Sequence, residues 1–279
     1  MFGKIMKYEM KSSMKLFLII WAGLLVVALI GGFLVNSGRG VMGDNYFFIQ
    51  NFSGGILNTL FILLYVALAI GIVVLSLIFI IQRFNKGLLG QEGYLMFTLP
   101  VKTRTLISGK CLSAGIVVIL SVIAGLLSIL LFFLPSVSGF GELKEILSAF
   151  GTMLSDYAGQ YPYFIPIILL IIVYLIVAVF KFIYEVYAAI SIGHLVNKHR
   201  VLMSVAAYIG IEIVQGVGAT AVVDLLGKYV PFFQGDWNAG LGDPETLFII
   251  GGVIIVDLLL ILVFHIVTET ILKNRLNLE

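Results

Sequence analysis

Charge is what this sequence has least of. Only 11% of its 279 residues are Asp, Glu, Lys or Arg, where a soluble domain devotes about 25% to covering its surface. A water-soluble fold of this length is therefore excluded. Cysteine occurs once, at Cys111, which rules out an internal disulfide and any multi-cysteine metal site. Cys111 opens an apolar run, so it reads as a small hydrophobe rather than a reactive thiol. His194, His199 and His265 have no cysteine or carboxylate at a metal-ligand spacing that would make a specific site, and no metal is expected. The chain also lacks a G-x-x-x-x-G-K-[ST] phosphate loop, an H-E-x-x-H helix and a Ser-His pair within its apolar runs. Neither a nucleotide site nor an embedded enzyme is expected on this chain. A net charge of +2 gives no electrostatic case for nucleic acid.

What is present is apolar sequence, 61% of the residues, with a mean hydropathy of +1.13. A bilayer core of about 30 Å takes about 20 apolar residues in helical form, because lipid leaves no partner for an open backbone amide. Six stretches qualify, at 16–35, 56–81, 112–134, 164–184, 201–226 and 247–267. The first is longer than the roughly 7–15 apolar residues of a signal peptide, so an uncleaved span is expected. Lysine and arginine alternate in register with these runs. Lys4, Lys7, Lys11 and Lys15 precede the first; Arg83, Lys86, Lys102, Arg104 and Lys110 separate the second from the third. Lys181, Lys198 and Arg200 surround the fourth connection, and Lys273 and Arg275 close the chain. The alternate loops hold only Arg39, Lys144 and Lys228, among seven acidic residues. Since basic loops stay on the cytoplasmic side, the prediction is an all-α membrane protein of six transmembrane helices with both termini cytoplasmic.

Two segments outside the spans are amphipathic. Residues 1–15 place Phe2, Ile5, Met6, Met10 and Met14 on one side of a helix and the lysines on the other, as an interfacial helix on membrane lipids requires. A solvated basic tail that only fixes orientation is the alternative. In 142–157, Leu143, Ile146, Leu147, Phe150, Met153, Leu154 and Tyr157 recur at helical spacing, too polar overall to span. This predicts an extracellular helix packed on the bundle, either capping a substrate exit or purely structural. The spans then form one transmembrane domain over 16–279, with a long loop at 82–110.

That loop is distinctive. It is apolar in its middle, broken at Gly87, Gly90 and Gly93 and stopped at Pro100, where a mere connector would be short and polar. An apolar patch rimmed by charge marks a protein contact. Glu92-Gly93-Tyr94-Leu95-Met96-Phe97-Thr98-Leu99-Pro100-Val101, followed by Ser108 and Lys110, resembles the equivalent segment of the ABC-2 type permeases of Gram-positive bacteria. The resemblance extends to Lys7-Tyr8-Glu9 and to Ser191-Ile192-Gly193-His194-Leu195 before Lys198-His199-Arg200. It implies a six-helix permease subunit in a bacterial cytoplasmic membrane. It also implies pairing with a second permease copy or a homologous permease, and docking on a dimeric ABC ATPase that carries ATP and Mg. Glu92, Tyr94, Leu95, Phe97 and Leu99 are the implied ATPase-coupling residues. No catalysis falls to this chain, and the implied cargo classes include antimicrobial peptides, lipids, ions and drugs.

Two carboxylates fall near mid-membrane, Glu212 and Asp257, where an ionised acid costs about 3 kcal/mol. Ser204, Tyr208, Glu212, Gln215 and Ala219 form one stripe along the fifth span. Tyr208, Glu212, Gln215 and Asp257 either line a substrate path or hydrogen-bond neighbouring helices. Asp257 has no polar neighbour in its own span. Lys181 and Glu185, four apart near the end of the fourth, read as a structural pair. Three functions remain open: ATP-driven export, a secondary transporter run by protons at Glu212 and Asp257, and an assembly or sensor protein that binds an ATPase without transporting.

Overall fold

The computed structural model describes residues 2–37, 52–90, 102–134, 140–196, 198–229 and 243–274. Among them every regular element is helical. In chain order these are α1 (Phe2–Ser37), α2 (Phe52–Phe84) with a π-helical turn continuing it over Asn85–Leu89, α3 (Thr103–Phe133), α4 (Phe140–Gln160), α5 (Phe164–Gly193), α6 (Arg200–Tyr229) and α7 (Pro244–Asn274). Six of the seven are long and apolar enough to cross a membrane, and α4 is not. The chain thus has the architecture of a multi-pass membrane protein.

Proline placement accounts for several boundaries. Pro162 lies between α4 and α5, Pro166 occupies the first turn of α5 and Pro244 opens α7. These are positions where a missing N–H costs no helical hydrogen bond. The helices exceed the apolar runs because polar residues at the ends continue the same hydrogen-bond ladder. In α1 this is pronounced, since residues 2–15 run into the first span without a break. The buried positions Glu9, Ser13, Phe17, Trp21, Leu24 and Ala28 follow one another at three or four residues, so one stripe serves both parts of the helix.

The chain divides into two compact units. The first comprises Met6–Phe79 and Ile116–Thr152. Its core brings together Phe17, Trp21 and Leu24 of α1, Ile72 of α2, and Val117 and Ala124 of α3. The Trp21 indole N–H donates to Ser121 Oγ at 3.1 Å, and the Tyr65 and Ser128 hydroxyls share a hydrogen bond of 2.9 Å. Gly31 lets the Phe132 ring approach α1, where an added Cβ would stand 3.3 Å from it.

The second unit comprises Met1–Ile5, Ile80–Gly115 and Met153–Glu279. Within it α5 packs against both α6 and α7. Apart from Ile167, the buried residues of α5 lie in its last turns, from Ile183 to Gly193. At that end α6 comes so close that a Cβ on Gly193 would meet the Ser204 hydroxyl and lie 2.6 Å from the Ser204 nitrogen. His199, left-handed at φ 57°, turns the chain into α6, and its carbonyl accepts the first hydrogen bond of that helix from Met203.

Candidate functional site

Two groups of side chains in the second unit go beyond apolar packing. One lies inside the spans. The helical period of α6 puts Tyr208 and Glu212 one turn apart, and the Tyr208 hydroxyl donates to Glu212 Oε1 at 2.9 Å. Gln215, further along α6, donates from Nε2 to Glu185 Oε1 of α5 at 2.7 Å. Glu185 itself is 1% exposed. One turn before it on α5, Lys181 reaches towards α7, its Nζ 4.0 Å from Asp257 Oδ1. Glu212, Lys181 and Asp257 all lie within electrostatic reach of Glu185. Three spans therefore contribute three carboxylates, one ammonium, a phenol and an amide to one polar cluster. The Gln215 Oε1 acceptor is buried without a hydrogen-bond partner.

Chemically, such a cluster can bind and release protons or hold a polar group in transit. Three carboxylates against one lysine leave an excess of negative charge that lipid does not solvate, so protonation, water or a partner must balance it. Among the described residues no three His, Cys, Asp or Glu side chains are arranged to hold a metal ion.

Of the residues singled out in sequence, Tyr208, Glu212 and Gln215, on one face of α6, and Asp257 of α7 all join this cluster. Glu212 bonds along its own helix, Gln215 bonds across to α5, and Asp257 finds its counter-charge in Lys181. The part sequence reasoning missed is the centre. The spacing of Lys181 and Glu185 predicts a pair with each other, whereas Glu185 accepts a hydrogen bond from α6 and Lys181 lies against Asp257 of α7. The available signal was an i, i+4 acid and base inside an apolar run, which lipid would not tolerate unpartnered.

The second group is the root of the long loop. Glu92, Tyr94, Leu95, Phe97 and Leu99 lie outside the described residues, but both arms that carry them are described. The outgoing arm ends in the π-helical turn Asn85–Leu89, whose Gly87 and Leu88 are buried. The returning arm places Arg104 on α7, where Nε donates to both Glu269 oxygens at 2.7 Å. Ser108 and Cys111 lie beside the Tyr184 hydroxyl of α5, and the Tyr184 ring meets His265 of α7 edge-on at 5.4 Å. Lys110 is 2% exposed, and its ammonium end lies where a Cβ on Gly87 would be, so a larger residue at 87 would make the lysine end shift.

Comparison with known proteins adds no identity: no family model matches the chain, and neither a curated protein nor a solved structure is significantly similar to it.

Proposed function

We propose that this chain is the transmembrane permease subunit of an ATP-driven ABC exporter of the ABC-2 type, coupled through the loop at 82–110 to a separate ATPase. The observation that carries the reading is the way this loop is fastened. Its motif-bearing segment leaves from a π-helical turn, a geometry frequent at functional sites. It returns through Arg104, Ser108 and Lys110, seated on Glu269, Tyr184 and the Gly87 turn respectively. A soluble ATPase moves membrane helices only through an element whose root is tied to them, and binding energy then biases a two-state bundle. Both termini are cytoplasmic in this reading, a second permease copy completes the path, and a bacterial cytoplasmic membrane houses it. Antimicrobial peptides, lipids and drugs are the cargo classes.

Purification of the full chain together with a candidate ABC ATPase from the same organism tests the proposal. Association and stimulated ATP hydrolysis are expected, with both lost on combining Tyr94→Ala and Phe97→Ala. Undiminished association in that variant would remove the coupling role of the loop.

The intramembrane cluster favours a second reading, proton-coupled transport. Under it, export from vesicles follows an imposed pH gradient without ATP and disappears in Glu185→Gln. A requirement for ATP in the same vesicles eliminates it.

A further inference from the structure

We infer that α4 is a membrane-surface helix whose apolar face binds the headgroup and acyl boundary of the bilayer. The inference rests on the six-span architecture and not on the exporter reading. Leu147, Phe150, Met153, Leu154 and Tyr157 occupy about one third of the helix circumference, yet each is between 37% and 62% exposed. Glu145, Ser148, Thr152 and Asp156 occupy the opposite side and are exposed too. An amphipathic helix of this kind, apolar on one side and polar on the other, fits an interface rather than water.

Chain length commits the occupant to lipid. Only residues 161–163 separate α4 from α5, a reach of about 10 Å, and residues 134–139 separate it from α3, a reach of about 20 Å. Both neighbours are candidate spans and α4 is not, so they present the ends nearest α4 to the same membrane surface. A helix about 30 Å long tethered so briefly at each end lies along that surface. The apolar surface is also continuous. Tyr157 stacks on Tyr161 and on Phe164, the first residue of α5, beyond which Ile165 and Leu169 are exposed. Tyr157, Tyr161 and Tyr163 together supply the aromatic residues that favour the interface. The only basic side chain of α4 is Lys144, against three acids. Attraction to anionic lipid is therefore not what holds the helix, and apolar insertion is.

Site-directed spin labelling of the full chain in phosphatidylcholine vesicles, without any ATPase, tests this. Labels enter at Phe150→Cys, Leu154→Cys, Ser148→Cys and Thr152→Cys in a Cys111→Ser background. Native Cys111 is buried, so the same series in the unaltered background serves if that replacement disturbs folding. Collision with dissolved oxygen is expected to exceed collision with a water-soluble nickel chelate at 150 and 154, and the order to invert at 148 and 152. Adding Phe150→Glu with Leu154→Glu is expected to abolish the excess at a Leu147→Cys label. Nickel access at all positions would overturn the inference by placing α4 in water. Exclusion of both reagents at 150 and 154 would overturn it by placing protein, a second copy or another chain, on that face.

Discussion

In the apolar core of the unit built from Met6–Phe79 and Ile116–Thr152, two hydrogen bonds between neutral side chains join the helices. Trp21 meets Ser121, and Tyr65 meets Ser128. In the unit containing α5, α6 and α7, the corresponding groups are ionisable. Lys181, Glu185, Glu212 and Asp257 are drawn together from three helices. Neutral pairs cost little to bury and hold helices in register. Buried ionic groups are poor adhesives, because desolvation offsets most of their attraction. The difference teaches where to look for activity: the core of the first unit is joined by neutral groups, and the second draws four ionisable groups from three helices together within its spans.

The comparison breaks most readily at Trp21. Trp21→Ala removes the largest side chain of the first core and is expected to lower stability by about 3–5 kcal/mol, read as thermal unfolding in detergent. Next comes Lys181→Met, which strands Asp257 without its cation and is expected to cost about 3 kcal/mol. Adding Asp257→Asn should restore most of that loss, and a double variant no better than the single one would mean that the two groups do not compensate each other. Gly193→Ala pushes a methyl against the Ser204 backbone, at an expected cost of about 1–3 kcal/mol. Ser121→Ala deletes one neutral hydrogen bond and should cost only about 0.6 kcal/mol. Glu185→Gln sharpens the contrast furthest. It keeps an acceptor for Gln215, so unfolding should shift as little as in Ser121→Ala, while transport in vesicles falls sharply.

The spans were legible because a run of about 20 apolar residues can satisfy its backbone in lipid as a helix. Their true extents were not. The lysines of residues 2–15 look like a separate interfacial segment, yet the helix continues through them because Glu9 and Ser13 extend the buried stripe of Phe17 and Trp21. Within the site, Tyr208 and Glu212 could be paired from spacing alone. Gln215 with Glu185, and Lys181 with Asp257, could not, because hydropathy says which segments cross a membrane but not which faces meet. The stripe of residues 142–157 was legible as helix α4, whereas its expected packing on the bundle was not: the apolar face is exposed, and periodicity cannot specify what a face touches.

The uneven burial of α5 has a mechanical consequence. With its last turns wedged among neighbours from Ile183 to Gly193 and its preceding length, Ile167 apart, half-buried or exposed, the helix is held most tightly at the loop end. Phe164 lies 19 residues from Ile183, about 29 Å along the axis. A tilt of about 10° at the clamp would therefore swing Phe164 through about 5 Å, about the pitch of one helical turn. Small torques delivered near Tyr184 are magnified at the far surface, and Lys181 and Glu185 sit beside the pivot, where the same tilt hardly moves them.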